Sequence, residues 1–536
     1  MAKDIFILGI GGTGMRCIES FIHICAMGMI DDTTVHLLAL DTDKDNGNFV
    51  RLRELKDSYC SVKSLTAKDR KATRDTFFSA NIQYYEYSPD YSEKNSYRSL
   101  ADYDLQSNSD ITGIADLVLS KNAQTFDLRH GYRAQTHLGS MLMYHSIIRD
   151  IEEDRPACKG ALSIAKFVDK LVECPNGRVF ILGSVFGGTG ASSIPVIPLA
   201  LSTAAKMRTN GGANLLNSIY FGAALLTAYF SFNVPSDSEK DREKIIATSD
   251  KFALNSQAAL MFYNDDKTVG ETYQRFYLIG TEGINWQPSP SKDKTITGGD
   301  AQKNESHYIE LMAAFAAYDF FKLKEEDLSE VKITHEKAKY YFRTINVDNR
   351  LEFEDFVGNT ECMELAKKFG LLIALTFFSN SPKLNFFRSV KDGHLADKKI
   401  KGYEDIDENQ IKALEDYCTL FHFGIKDKDF YTGWLKQLHR SAGGDNKFLF
   451  NPKLFIPEDM RAYEKFDYNE DIYPADRDDL KKKQFGTGLF GKPQNDFVKT
   501  FSEIEQKRAS EISETNLLER LIKITYFTLS KLYGFE

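Results

Sequence analysis

The chain has 536 residues, of which 42% are hydrophobic and 27% charged, with a formal net charge of −9 and a pI near 5.7. That is the make-up of a globular protein long enough for about three domains, and it argues against a broad polyanion-binding surface. The cysteines at 17, 25, 60, 158, 174, 362 and 418 are odd in number and include no close pair, which excludes a disulfide framework or zinc site and fits a reducing compartment. The sequence runs directly into a strand pattern, leaving no room for a signal peptide, so cytoplasmic residence is expected.

A buried-strand run, Ile5-Phe6-Ile7-Leu8, leads into Gly9-Ile10-Gly11-Gly12-Thr13-Gly14 and then into Met15 to Ile22, whose apolar residues have helical spacing. A second strand, Val35 to Leu40, ends in Asp41-Thr42-Asp43. By itself this unit reads as a dinucleotide-binding βαβ with an acidic residue placed for a ribose. Lys44 to Leu128 is long for one crossover, and its polar part, Ser88 to Asp110, reads as a surface insertion. Arg129-His130-Gly131-Tyr132-Arg133-Ala134-Gln135-Thr136-His137-Leu138-Gly139 is a loop leading into a helix. The strand Arg178 to Ser184 then opens the second glycine turn, Phe186-Gly187-Gly188-Thr189-Gly190-Ala191-Ser192. No lysine follows those glycines, which disfavours a P-loop NTPase.

Further along, Ser218 to Phe232 suits a central strand and the loop leaving it, and is too short and interrupted to span a membrane. A helix over about Lys240 to Phe262 and a strand at Arg275 to Ile279 follow. The loop Thr281 to Gln302 carries Pro288, Pro290, Gly298 and Gly299 and reads as mobile or nucleotide-ordered. Asn304 begins a long helix, either as its cap or as a binding residue. A strand at Tyr340 to Val347 and a helix at Cys362 to Phe378 open a second domain. The region 441–495 is loop-rich; its Gly486-Thr487-Gly488 cluster lacks a leading strand and reads as a flexible loop. Phe501, Ile504, Ala509 and Ile512, then Leu517, Leu518, Leu521, Ile522, Ile524 and Phe527, fit two amphipathic helices packed back on the body, or else a partner-binding face.

Glycine turns let backbone N–H groups approach a phosphate without Cβ interference, and the following helix dipole favours the anion. Two such turns suggest one nucleotide gripped from two sides. In order and wording these segments resemble the tubulin/FtsZ superfamily of GTPases, and within it the divergent bacterial tubulin-like branch. The first glycine turn resembles the family's first phosphate loop, Leu40-Asp41-Thr42-Asp43 its second, and Arg129 to Gly139 the loop beside the γ-phosphate. Gly187-Gly188-Thr189-Gly190 resembles the family signature, from which this chain departs with Phe186 for the first glycine and Ser192 for the last.

The resemblance implies an α/β fold, a Rossmann-type GTPase domain over 1–302 with a core helix at 303–324. A second α+β domain over 325–495 and C-terminal helices over 496–536 would follow. It implies GTP with Mg²⁺, phosphates held by Gly11, Gly12, Thr13, Gly187, Gly188, Thr189 and Gly190, and Asp43 and Arg133 beside the γ-phosphate. Asn304 and Tyr308, with Asn255 as a third, are the base-reading candidates. Subunits would stack head to tail, each completing its neighbour's site with acidic residues. Glu325 and Glu326 compete for that role by position; Asn346 and Asp348 compete by wording. An adaptor protein on the C-terminal region is conceivable, with neither nucleic acid nor a membrane span expected. Two other readings remain open, a GTP-bound scaffold that does not hydrolyse and a Rossmann-type NAD-dependent enzyme using only the first loop.

Overall fold

The computed structural model describes residues 4–31, 33–63, 75–102, 110–133, 135–158, 160–231, 249–281, 304–334, 339–345, 357, 364–365, 368–373, 375–376, 386–395, 398–423, 433–441, 496–508 and 516–532. Its centre is a parallel sheet of seven strands: β1 (Asp4–Ile10), β2 (Thr34–Leu40), β3 (Asn81–Tyr87), β4 (Arg178–Ser184), β5 (Tyr220–Leu226), β6 (Tyr273–Thr281) and β7 (Lys339–Ile345). They lie in the order β3-β2-β1-β4-β5-β6-β7. Every residue of β4 and β5 is buried, as expected where helices cover both faces of a parallel sheet. Ile5 pairs with Val35 on one side and Arg178 on the other, so β1 and β4 are the central neighbours from which the chain winds outward in both directions. In open sheets of this kind the ligand crevice lies outside the carboxyl ends of the strands at that reversal.

One face is covered by α1 (Gly11–Ala26), α2 (Gly47–Lys63) and the core helix, and the other by α3 (Thr136–Glu152), α4 (Ile164–Val172) and α6 (Ile197–Arg208), the short α5 (Gly188–Ser193) lying between β4 and α6. After β5, α7 (Phe252–Asp265) precedes β6. The core helix α8 (Tyr308–Lys322) is followed by α9 (Glu325–Thr334), then α10 (Glu408–Cys418) and α11 (Trp434–Ser441), and finally α12 (Asp496–Arg508) and α13 (Leu517–Leu532).

The α/β reading and five of the strands match the sequence expectation; three details differ. The strand assigned to the start of a second domain is β7, the sheet's edge, in register with β6 from Arg275↔Lys339 to Thr281↔Ile345. Strand β3, inside the long crossover, went unpredicted. The core helix begins at Tyr308, not Asn304, because His307 and Glu310 form a reciprocal cap: the imidazole accepts from the Ile309 N–H (3.2 Å) and Glu310 accepts from the His307 N–H (2.9 Å).

The two C-terminal helices pack inward. Leu518, Leu521, Ile522, Ile524 and Leu529 are buried, and Tyr526 meets Phe77 edge-on at 5.1 Å. These apolar residues of α13 are therefore covered by the chain itself, as the packed-back reading of the sequence expected. Among the described residues no helix is long and apolar enough to cross a membrane.

Candidate functional site

The first loop is shaped by close packing at both ends. A Cβ on Gly14 would stand 2.5 Å from the Leu182 carbonyl oxygen of β4, so only glycine lets α1 lie against the sheet there. Gly11 has φ +67°, the left-handed region, and the space beside it opens toward Thr189, whose Cβ is 3.9 Å from a Cβ built on Gly11. Helix α1 starts at Gly11 with no side-chain cap and no acidic residue in its first turn. Its leading N–H groups thus keep the positive end of a 16-residue helix facing the crevice.

The second loop reaches the same place. The Thr189 hydroxyl is 3.2 Å from the Thr42 hydroxyl and 3.8 Å from a Cβ built on Gly131, which itself has φ +90°. Three segments far apart in sequence, the loops holding Gly11, Thr42 and Gly131, therefore converge on Thr189 of a fourth at the β1/β4 reversal. Arg133 follows on the third loop, half-buried at φ +45°. Asn255 on α7 donates to the Phe186 carbonyl (3.3 Å), placing it against the second loop.

Acidic groups line the β2 end of the crevice. Asp41 is buried and accepts from Asn46 Nδ2 at 2.8 Å; burial, with the neighbouring Asp43 charge, pushes its carboxyl up to about 7. Asp43 is also buried, its Oδ1 taking the Asp45 N–H at 3.1 Å.

Behind the first loop lies a buried ionic network that the sequence reading did not find. Arg16, one turn into α1, pairs with Glu310 of α8 at 2.6 Å, donates to the Tyr229 hydroxyl at 3.1 Å and reaches Thr13 Oγ1 at 3.5 Å. Tyr229 in turn donates to Glu310. Beside it, Arg51 of α2 bonds Glu19 (2.6 Å), the Asn304 carbonyl (3.0 Å), Ser306 (2.9 Å) and Gln437 of α11 (2.8 Å). The start of the core helix is thus tied to α1 and α2.

These contacts settle where the remaining candidates lie. Asn304 is buried, with its carbonyl held by Arg51. Tyr308 is 2% exposed, its hydroxyl 3.0 Å from Thr281 and its ring 4.3 Å from that of His307, so in this arrangement it is a core residue without an open face for a base. Glu325 and Glu326 are exposed at the start of α9. Glu325 lies beside Arg178 and Tyr220, the first residues of β4 and β5, at the opposite end of the strands from the glycine loops. Seven-residue strands at ~3.3 Å per residue put roughly 20 Å between the two ends. Asn346 and Asp348 lie outside the described residues, just past the end of β7. Among the described residues no group of His, Cys, Asp and Glu is arranged to hold a metal ion by protein ligands alone.

Neither family models nor curated proteins match this chain. Among solved structures it is similar to CetZ from Methanosaeta thermophila, at 14% identity over 62% of this chain and 59% of that one, with a TM-score of 0.27. It is similar to a C-terminally truncated TubZ from Clostridium botulinum phage c-st, at 15% identity over 63% and 67%, with a TM-score of 0.25. CetZ2 from Haloferax volcanii, a GTPγS-bound protofilament, matches at 14% identity over 62% of each chain, with a TM-score of 0.27. The chain spans from 59% to 67% of the length of these proteins.

Proposed function

We propose that the chain is a divergent tubulin-like protein that binds GTP in the crevice between its two glycine loops and assembles head to tail. The observation that carries this reading is the meeting of Gly11, Thr42, Gly131 and Thr189 around one point at the reversal of the sheet. A glycine-lined crevice with helix N–H groups on one wall fits a polyphosphate. Gly11, Gly12, Thr13, Gly187, Gly188, Thr189 and Gly190 would hold the phosphates, and Asp43 and Arg133 would border the terminal one. Bound Mg²⁺ would supply charge neutralisation at the phosphates. Asn255, beside the second glycine loop, is a base-reading candidate; the burial of Tyr308 speaks against that residue, and Asn304 is held by Arg51 through its main-chain carbonyl.

Glu325 and Glu326 sit too far away to act on a nucleotide in their own copy, but a head-to-tail neighbour would bring them to the glycine loops. That supports a site completed across a subunit contact, with hydrolysis there. A dinucleotide enzyme is the weaker reading, since it would give no role to the second loop, and Asp41, its ribose ligand, is buried and already bonded to Asn46. Cytoplasmic residence belongs with this proposal.

Light scattering of the purified protein with GTP and magnesium, with phosphate release followed in parallel, tests the assembly. Scattering should rise and decay as phosphate appears, and the Glu325→Ala/Glu326→Ala variant should keep the rise while releasing phosphate more slowly. A rise without phosphate in the unaltered protein would leave a GTP-bound scaffold. No rise at all would refute assembly.

A further inference from the structure

Resting on the head-to-tail reading above, we propose that the outer face of α7 is the surface on which a second copy of this chain docks, beside the nucleotide crevice. From Phe252 to Asn264 this helix carries no charged residue. Leu254, Met261 and Phe262 are 65%, 60% and 50% exposed. Spacings of seven and eight residues put them on one side of the helix, where a surface helix ordinarily presents charged and polar groups. Single apolar side chains on a surface are ordinary, but a contiguous set marks a contact with something else.

The inner face of the helix is tied to the second glycine loop and to the short helix after it. Asn255 donates to the Phe186 carbonyl at 3.3 Å, and the Tyr263 hydroxyl donates to the Ala191 carbonyl at 2.6 Å. A copy seated on the outer face would therefore lie next to the crevice. Between α7 and the end of β5 runs an open groove of about 700 Å³, whose lining includes Thr227, Ala228, Ala253, Leu260 and Met261. Side chains of the docking copy thus have both an apolar ridge to cover and a groove to enter.

Charge points to a second copy as the occupant. A head-to-tail contact sets the crevice end of one copy against the opposite end of the strands in the next. The crevice end carries Lys251, exposed just before α7, and Arg133, half-buried on the third loop. At the opposite end Glu325, Glu326 and Asp327 stand exposed in the first turn of α9. Stacking the copies brings these opposite charges together around an apolar centre, and specific interfaces are built that way, poor in charge at the core and polar at the rim. With a net charge of −9 on each copy, a patch free of charge is also where their mutual repulsion is least.

The test puts charge on this face. In Leu254→Glu/Met261→Glu the protein concentration at which GTP and magnesium first raise light scattering should increase about tenfold or more, since a carboxylate at the apolar centre of a contact is buried without a partner. Both side chains are exposed, so the thermal midpoint, and the affinity for a fluorescent GTP analogue below that concentration, should match the unaltered protein. Leu254→Met/Met261→Leu should assemble normally, and so should Leu117→Glu, which charges an 85% exposed leucine in the crossover between β3 and α3. Assembly of the doubly charged variant at the unaltered concentration, or an equal loss in Leu117→Glu, overturns the role of α7 alone. A lowered thermal midpoint means that the chain itself covers this face, and weaker GTP binding by the monomer means that the face belongs to the nucleotide site; either result overturns the docking role. A nucleotide-free dimer of the unaltered protein in sedimentation, lost in the charged variant, overturns it in favour of a two-fold pairing of α7. GTP binding by the unaltered protein without any scattering removes the head-to-tail reading and this role together.

Discussion

The Arg16–Glu310 pair offers a quantitative test of how the first loop is anchored to the core helix. Both side chains are essentially removed from water, at 3% and 0% exposure, and the pair closes at 2.6 Å with Tyr229 bonded to both. Glu310→Gln keeps the shape but leaves the guanidinium without its counter-charge. Breaking one side of a buried pair costs about 3–5 kcal/mol, since desolvation of the surviving ion is no longer offset. Arg16→Met should cost less, because the two ions differ in their escape route. Glu310 can take up a proton, and burial, opposed by Arg16, already pushes its pKa upward. Arg16 cannot shed its proton. Burial alone would lower its pKa, but Glu310 and Tyr229 outweigh that and hold it above its ordinary value. The double variant Arg16→Met/Glu310→Gln should recover much of the loss, giving a coupling of roughly 2 kcal/mol or more. Urea unfolding followed by far-ultraviolet circular dichroism on all four proteins reads these differences. If Glu310→Gln costs under ~1 kcal/mol, or the two losses simply add, the pair does not hold the loop helix to the core helix as described.

Gly14→Ala and Gly11→Ala should separate folding from binding. The first sets a Cβ 2.5 Å from the Leu182 carbonyl oxygen and should lower the thermal midpoint. The second has room, with Thr189 at 3.9 Å, and should cost only ~1–2 kcal/mol for the left-handed backbone while weakening GTP by about tenfold or more; the opposite pattern would contradict the assignment. Asp41 should make stability fall as pH rises. Its folded-state pKa of about 7 lies above the ordinary 3.8, so its contribution is full below about pH 4 and is lost through about pH 7. Asp41→Asn should flatten that slope in urea midpoints from pH 5 to 8, and parallel profiles would refute it. His23 acts in the other direction. Burial, helped by the Arg51 charge, holds its pKa well below 6.5, so stability is full above pH 6.5 and falls as the unfolded state takes up a proton below it. His23→Phe should lose less stability than the unaltered protein between pH 6.5 and 5, and equal losses would contradict this.

The central strands were legible because burial on both faces demands the unbroken apolar runs of Ile5 to Leu8 and Val179 to Leu182. Edge strands do not obey that rule. Asn81-Ile82-Gln83-Tyr84-Tyr85-Glu86-Tyr87 mixes polar and aromatic residues, and Lys339 to Ile345 is separated from β6 by two helices, which invited its assignment to another domain. The glycine loops were legible because their glycines answer a steric demand, as Gly14 does against Leu182. Partnerships across the fold were not. Arg16 and Glu310 are 294 residues apart, and only the fold brings them together. The helix start was misplaced because Asn304 is the better cap by residue type, whereas His307 gains its place through Glu310 three residues on.

Isothermal titration of the purified protein with GTP, ATP and NAD, in magnesium buffer at ~0.1 M salt so that surface charges are partly screened, addresses the central claim most directly. The account predicts one GTP per chain, little heat from NAD, and loss of GTP binding in Gly188→Trp. Binding of NAD with none of GTP, or GTP binding that Gly188→Trp leaves intact, would contradict a nucleotide site built from both glycine loops.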